Sequence, residues 1–428
     1  MPADMTYQEI LTYLYGLGRF GMKPGLDNIR AILRSLSDPQ DSLQVIHVAG
    51  TNGKGSTSSF LSSILCEGGY KPGLFTSPHL ISFTERIRIK GVEIKESEAF
   101  SVAERVIAVA PSVATFFEIV TAMAFLYFAE QGAGPVILET GMGGRLDATN
   151  ASSKIMSVIT PISLDHCDYL GEDIPEIARE KAGIIMSGIP VVVSVQPKPA
   201  LEVIRETCAV RNSPMYSFGG DFFASWEGAG LSYRGLDWNM EELRPGIGGR
   251  YQSSNAATAL CASELLVRQG FALDAETARA GLEKAFWPGR MEIIGTSPKI
   301  LLDGAHNPAG AAALAEALSD VPRDRLIMIV GLMSNKDIEG MLALLAPLAD
   351  RVLTVSPAMP RSFSSSELAG KFRAAGACAE DAGSVSAGLD LAIGEAGPAD
   401  LILVCGSLFT VGEARAVLLS RNFEPCRG

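Results

Sequence analysis

The stretch Val48-Ala-Gly-Thr-Asn-Gly-Lys-Gly-Ser-Thr57 joins an apolar run to an amphipathic one through a glycine-rich loop that carries a single lysine. Leu43, Val45, Ile46 and Val48 read as a buried strand, and Phe60, Leu61, Ile64 and Leu65 recur at helical spacing after Ser56. Gly50, Gly53 and Gly55 let the backbone approach an anion, a helix start offers unpaired N–H groups and a positive dipole end, and Lys54 adds a cation. These are the parts of a phosphate loop. The strict pattern G-x-x-x-x-G-K-[ST] is not met, because Val48 replaces the first glycine and Gly55 follows the lysine; Ser56 or Thr57 would then supply the hydroxyl. The plainer alternative is a glycine-rich strand-to-helix turn with an exposed lysine.

Other polar residues close apolar runs, where open parallel sheets collect ligands. Ser77 and His79 follow the run that ends at Phe75. Glu139 follows Val136-Ile-Leu138 and offers a hard oxygen ligand suited to Mg²⁺, or simply faces solvent. His166, in Ser163-Leu-Asp-His-Cys-Asp168, reads either as a metal ligand or as a loop cap, and His47 within the first strand reads as a packing residue. Glu139-Thr-Gly-Met-Gly-Gly-Arg-Leu-Asp-Ala-Thr-Asn150 places three glycines beside Arg145 and Asp147, a cation and an acceptor for a polar substrate. Asp303, His306 and Asn307 close a later run, and Ser407 another; together they would suit a small amino acid, or Asp303 and His306 form an Asx-type turn. Lys181, in Arg179-Glu-Lys-Ala182, reads by itself as a solvated residue. Cys167 beside His166 is not read as a nucleophile pair, since sequence neighbours in an extended segment point apart.

These residues need a scaffold of alternating strands and helices. Val45–Val48, Gly73–Phe75, Val136–Leu138, Ile155–Ile159 and Val191–Val195 read as strands separated by helical patterns, the signature of a largely parallel sheet. Residues 218–251, rich in glycine and aromatics, read as short antiparallel strands, followed by a helical pair at 254–268 and 275–286 before Trp287-Pro-Gly-Arg290 breaks the pattern. A second series comprises Ile300–Leu302, Leu326–Val330, Arg351–Val355 and Leu401–Val404. The expectation is an α/β protein with a phosphate-loop parallel-sheet domain at 1–295 and a smaller α/β domain at 296–428.

Composition agrees with a folded protein: 428 residues, 47% hydrophobic and 20% charged, with a net charge of −12 and no basic stripe for nucleic acid. The uncharged stretch 182–197 is too short to span a bilayer and the N-terminus lacks a basic start followed by an apolar run, so a cytoplasmic, membrane-free protein is expected. Seven cysteines (66, 167, 208, 261, 378, 405 and 426) show no C-x-x-C pair; most are expected to be buried small apolar residues.

Taken in order, residues 50–56, Ser77-Pro-His-Leu80, 143–150, Leu164-Asp-His166, Glu180-Lys-Ala-Gly183 and Asp303-Gly-Ala-His-Asn-Pro308 resemble the motifs of folylpolyglutamate synthase/dihydrofolate synthase, a branch of the Mur ligase superfamily. The likeness runs from Gly25-Leu-Asp-Asn-Ile-Arg30 to Gly406-Ser407. It implies an ATP-dependent amide ligase whose second domain is Rossmann-like. By matched motif, Thr51, Asn52, Gly53 and Lys54, with Gly55 and Ser56, would bind ATP phosphates, and Asn255, Arg290 and Asp303 would complete the ATP site. Ser77, Glu139 and His166 would hold Mg²⁺, and Lys181, carbamylated in the family, a second Mg²⁺. Thr115, Phe116, Phe117 and Glu118, with Leu146, Asp147 and Ala148, match segments that contact pteroate; Asp303, His306 and Ser407 would meet glutamate, leaving open whether Asp303 serves ATP, glutamate or both. Lys54, Lys181, His166 and His306 would carry the chemistry. The resemblance implies a monomer acting on dihydropteroate, reduced folates and L-glutamate. The alternatives are a folate-only polyglutamate synthase, a cell-wall Mur-type ligase, and a nucleotide-gated regulatory protein without ligase activity.

Overall fold

The structure, a computed structural model, describes residues 6–17 and 25–425. The first eight strands, β1 (Val45–Ala49), β2 (Gly73–Phe75), β3 (Ile87–Ile89), β4 (Val92–Glu93), β5 (Val136–Glu139), β6 (Met156–Ile159), β7 (Val191–Val193) and β8 (Met215–Ser217), form one sheet. Its order is β4-β3-β2-β5-β1-β6-β7-β8. β2, β5, β1, β6, β7 and β8 are parallel, while β3 and β4 add an antiparallel edge. β1 is buried along its whole length, which its apolar residues require of a strand covered on both faces. On one face, Phe60, Leu61, Ile64 and Leu65 of the helix Lys54–Glu67 pack with Ala256, Ala257, Leu260 and Leu265 of the helix Gln252–Arg268. On the other, the nearly all-apolar helix Phe116–Glu130 fills a second core cluster.

Strands β9 (Phe223–Glu227), β10 (Gly230–Arg234) and β11 (Asn239–Leu243) make the short antiparallel sheet expected from the glycine- and aromatic-rich stretch. A buried carboxylate pins it down: Glu264 accepts from the Tyr233 hydroxyl at 2.6 Å, from Leu236 N at 3.0 Å, and from Asp237 N and Trp238 N at 2.6 Å each.

The last six strands are β12 (Glu292–Ile294), β13 (Lys299–Leu302), β14 (Leu326–Val330), β15 (Arg351–Val355), β16 (Ala379–Gly383) and β17 (Leu401–Cys405), ordered β12-β13-β17-β14-β15-β16. Only β12 runs antiparallel to its neighbour. Its Glu292 takes Arg415 Nε on both oxygens, at 3.0 and 2.9 Å, and also Gly289 N at 2.8 Å, tying the Trp287–Arg290 turn to the helix Leu408–Leu418.

Two expectations need correction. Of the six described cysteines only Cys208, Cys261 and Cys405 are buried; Cys66 is half-buried, Cys167 and Cys378 are exposed, and Cys426 lies outside the described residues. The strand expected at 191–195 stops at Val193, because Ser194 N still bonds Ile159 O but the chain then turns toward the helix Lys198–Val210.

Candidate active site

β2, β5, β1 and β6 are adjacent and parallel, so their carboxyl ends open side by side, and each contributes a polar loop. From β1 comes the glycine loop. Gly53 sits at φ 83, a left-handed conformation, and a Cβ there would lie 2.3 Å from Asn255 Oδ1; at Gly50 a Cβ would lie 1.8 Å from Thr160 Oγ1. Only glycine allows these approaches. The helix that follows starts at Lys54 with no side-chain cap, so its first-turn N–H groups remain available to an anion. Thr51 exchanges hydrogen bonds with Ser163 on the β6 loop, its hydroxyl donating to Ser163 O and accepting from Ser163 N, both at 3.1 Å. Ser56 and Thr57 point into the protein: Ser56 Oγ accepts from Gln252 Nε2 at 3.3 Å and Thr57 Oγ1 donates to Asn255 Oδ1 at 3.4 Å.

Lys54 Nζ donates to Thr51 O at 3.2 Å and stands 3.9 Å from Glu139 Oε1. Glu139 is 6% exposed, so the solvent-facing alternative does not hold. Burial raises its carboxyl above the ordinary range, opposed by Lys54, by the Ser77 amide at 3.3 Å and by Arg290. Gly55, Ser77, Glu139, Arg290 and Leu408 line one cleft together with Trp287.

Lys181 is the plainest correction to the sequence reading. It is 4% exposed, and its Nζ donates to Gly50 O at 2.7 Å at the root of the glycine loop. Burial, and secondarily Lys54, push its ammonium down to about 7. The acidic, helical neighbourhood Arg179-Glu-Lys-Ala182 conceals this because Arg145, not Lys181, takes Glu180, at 2.8 Å.

His166 occupies a left-handed conformation at φ 55 and, although the residue is exposed overall, desolvation leads its imidazole down to about 4, with Lys336, Lys54 and Lys181 adding to the effect against Asp165. The His166 backbone N–H donates to Asp165 Oδ1 at 2.9 Å, the oxygen that also takes Lys336.

The pterin-matching segments meet below the β5 loop. Thr115 caps the helix Phe116–Glu130 in a capping box with Glu118, whose Oε2 accepts from Thr115 N at 2.7 Å. The Phe116 ring stacks on Tyr15 at 5.5 Å and lies 5.2 Å beneath the Arg86 guanidinium, and Phe117 packs near Phe75 and against Gly141. Leu146 is half-buried and Ala148 belongs to the same core as Phe116. Asp147 is not a free acceptor: Oδ2 takes Gly141 N at 2.9 Å and Met142 N at 3.0 Å, while Oδ1 takes the Thr149 amide at 3.0 Å and the Thr149 hydroxyl. It shapes the loop that leaves Glu139.

In the second sheet, β13, β17 and β14 end side by side. Asp303 is buried and accepts from the Tyr251 hydroxyl at 3.1 Å and from Met291 N and Ala305 N at 3.0 Å each; burial raises its carboxyl while Arg290 opposes. Asn307, rather than Asp303, caps the helix Pro308–Leu318. His306 Nδ1 faces Gly304 O at 2.9 Å and Nε2 stands 3.6 Å from Asp165. The Ser407 hydroxyl is committed as a helix cap, accepting from Thr410 N at 3.0 Å.

Sequence reasoning missed Lys336, which follows β14 and bonds Asp165 at 2.6 Å. Its signal in the sequence is its place soon after the apolar run Leu326–Val330, the position at which parallel strands present polar groups. His79, which also follows β2, is committed: buried, it faces Glu424 O at 2.9 Å through Nε2 and accepts from Arg86 Nε at 2.9 Å through Nδ1.

Family models described as the Mur ligase middle domain and the Mur ligase glutamate ligase domain match residues 48–263 and 289–408. The chain is 37% identical over 425 residues to a probable bifunctional folylpolyglutamate synthase/dihydropteroate synthase of Halobacterium salinarum, with 96% of this chain covered but only 51% of that protein. It is 35% identical over 433 residues to the dihydrofolate synthase/folylpolyglutamate synthase of Bacillus subtilis, covering 96% of this chain and 98% of that one. Among solved structures, Escherichia coli FolC in complex with DHPP and ADP matches with a TM-score of 0.90 at 32% identity, covering 97% and 98% of the two chains. The bifunctional folylpolyglutamate synthase/dihydrofolate synthase of Yersinia pestis complexed with AMPPNP and Mn ion matches with a TM-score of 0.89 at 33% identity, covering 97% and 98%.

Proposed function

The chain belongs to the dihydrofolate synthase/folylpolyglutamate synthase family of Mur ligases, and from that premise we propose that it couples ATP cleavage to amide formation between L-glutamate and a pterin carboxylate. Dihydropteroate is the acceptor in one activity and a reduced folate in the other. The observation that carries this reading is the convergence of Lys54, Glu139, Ser77 and Arg290 on one cleft beside an uncapped helix start.

A carboxylate is a poor electrophile, so activation comes first. The N–H groups at residues 53–56 and Lys54 hold the γ-phosphoryl group of ATP while the pterin carboxylate attacks it, breaking its bond to the β-phosphate oxygen so that ADP leaves and an acyl phosphate forms. The glutamate amine then displaces phosphate, and the protein contributes position and charge rather than a covalent nucleophile. Phe116, stacked with Tyr15, flanks the pterin side, and Asp147 shapes the loop between that side and Glu139. By the matched motifs Asn255, Arg290 and Asp303 would complete the nucleotide site and His306 would meet the glutamate, with the Arg290 charge favouring the buried Asp303 carboxylate.

The donor set fits Mg²⁺. Among the described residues no three of His, Cys, Asp and Glu gather into a cage; Glu139 and the Ser77 hydroxyl, which line one cleft, would offer it oxygen ligands, with His166 as the third residue the motifs supply. When bound it neutralises the phosphate oxygens. Lys181, with its ammonium down at about 7, is poised as the neutral amine that CO₂ requires, and the carbamate so formed would hold a second cation. Residues 1–295 would carry nucleotide and pterin and residues 296–428 the amino acid, in a cytoplasmic monomer. Among the described residues no helix is long and apolar enough to cross a membrane.

The test offers ATP, Mg²⁺ and glutamate with dihydropteroate, tetrahydrofolate or a muramyl nucleotide in turn. ADP should form with the pterins alone; silence with every pterin would sink the reading, and turnover with tetrahydrofolate but not dihydropteroate would restrict it to folate-only synthesis.

A further inference from the structure

Arg88 carries an inference that rests on the ligase reading for the identity of its ligand. It lies on the antiparallel strand β3 and lines the cleft together with Ser77, Glu139, Trp287, Arg290 and Leu408. Its guanidinium stands 5.2 Å from the centre of the Trp287 ring, and its side chain is only 12% exposed. Nε is buried without a hydrogen-bond partner among the described residues, and the ion pair with Glu93 is long, at 3.8 Å. A guanidinium removed from water to this extent is matched by a carboxylate that takes two of its N–H groups at once.

The acids nearest to it are already used. Glu85 accepts from Leu80 N at 2.8 Å, Ile81 N at 3.0 Å and Ser82 N at 3.2 Å, and Glu93 Oε2 accepts from the Thr84 hydroxyl at 2.7 Å. Arg415 and Arg421 add like charge. The other guanidinium lining the cleft, Arg290, has the buried Asp303 carboxylate to answer it. Arg88 thus brings to the cleft a nearly buried charge with an N–H to spare.

Glutamate brings two carboxylates, and the second sheet has few donors for them. Asp303 is itself an acid. Thr410 gives its hydroxyl proton to Gly331 O at 2.9 Å, so Ser407 spends its own proton on Thr410 Oγ1, at 2.9 Å, while accepting from Thr410 N at 3.0 Å. Of the three residues matched to glutamate only His306 is left to meet an anion. Leu408, next to Ser407, borders the same cleft as Arg88, so the start of the helix Leu408–Leu418 and the guanidinium face one space.

We propose that Arg88 binds one of the two carboxylates of the incoming glutamate, through Nε–H and a terminal N–H, with the Trp287 ring backing the guanidinium. It is then a specificity residue, because an amino acid with an amide in place of that carboxylate leaves the buried charge unpaired.

Two amides separate the carboxylates: glutamine lacks the side-chain one and isoglutamine the α one. Wild type, Arg88→Met and Arg88→Lys are assayed with ATP, Mg²⁺ and dihydropteroate, using glutamate, glutamine or isoglutamine as the amine. Binding of labelled glutamate is measured in parallel by equilibrium dialysis, with a non-hydrolysable ATP analogue, Mg²⁺ and dihydropteroate present. Arg88→Met, which keeps an unbranched apolar stem, should raise KM for glutamate about 10- to 100-fold and keep KM for ATP within about twofold. It should also lose wild type's discrimination against one of the two amides while retaining it against the other, and the amide no longer rejected identifies the carboxylate that Arg88 holds. Arg88→Lys, with the charge but not the two-point fork, should fall between and supplies the same comparison where the methionine variant fails to fold. An unchanged KM for glutamate, a matching rise in KM for ATP, or discrimination that is retained or lost equally against both amides would each overturn the proposal. A wild type that forms no ADP with any pterin defeats the ligase reading instead; tighter glutamate binding by wild type than by Arg88→Met would then still support the carboxylate site, and equal binding would remove it.

Discussion

Burial decides what each ionisable residue of the site can do. Lys181 looks like a solvated lysine in sequence, but against Gly50 O, with its ammonium down at about 7, it is a group whose charge the fold opposes. Lys181→Ala should lower turnover by about 10- to 100-fold, with partial recovery in acetate or another short carboxylate measured by ADP release; undiminished turnover would remove the carbamate role. His47 read as a packing residue and is fully buried, but it is hydrogen-bonded: Nε2 faces Thr149 Oγ1 at 2.7 Å. The Thr149 hydroxyl gives its one proton to Asp147, so His47 must donate from Nε2, leaving Nδ1 a buried acceptor without a partner among the described residues. Burial, reinforced by Lys154, holds this imidazole well below its ordinary value. The unfolded chain therefore takes up a proton near about pH 6.5 that the folded chain refuses, and stability falls as pH drops through that value toward the folded pKa. Melting curves from about pH 7.5 to 5 should show wild type losing more stability than His47→Gln, which retains a donor toward Thr149; parallel losses would refute the assignment.

At the scale of elements, the strand-end loops are where sequence and structure can be compared most closely. Gly53→Ala would force a Cβ into a left-handed conformation, costing about 1–2 kcal/mol, and against Asn255 Oδ1; KM for ATP should rise about tenfold, and an unchanged KM would mean that the loop does not meet the nucleotide. Glu264→Gln places an NH₂ group where backbone and hydroxyl donors converge, and should destabilise the fold by about 2–4 kcal/mol in denaturant titrations while leaving KM for ATP unmoved. The strands that carry the site were legible because parallel strands buried on both faces are continuous apolar runs, as in Val45–Ala49 and Leu326–Val330. β16, with Glu380 and Asp381 exposed, lacks that signature, and β3, β4 and β12 are antiparallel strands of only two or three residues, too short to show a period. Site residues were legible where a motif marked them, as with Lys54 and Glu139. Commitments made across the chain were not: that Asp147 is saturated by its own loop, that Ser407 caps a helix, and that Lys336 meets Asp165 all depend on partners distant in sequence or on a turn's geometry.

For the whole molecule, two sheets open their strand ends toward one another, and the contacts between them, Asn52 with Asn307 and Asp165 with Lys336 and His306, lie at the phosphate loop itself. Central to the account is direct transfer of phosphate to the pterin carboxylate, and isotope transfer tests it most directly. Dihydropteroate labelled with ¹⁸O in its carboxylate is turned over with ATP, Mg²⁺ and glutamate, and the released phosphate is examined by mass spectrometry. One labelled oxygen in each phosphate, matched by glutamylated product, is the predicted result; product formed with unlabelled phosphate would contradict the acyl phosphate and the role given to the glycine loop.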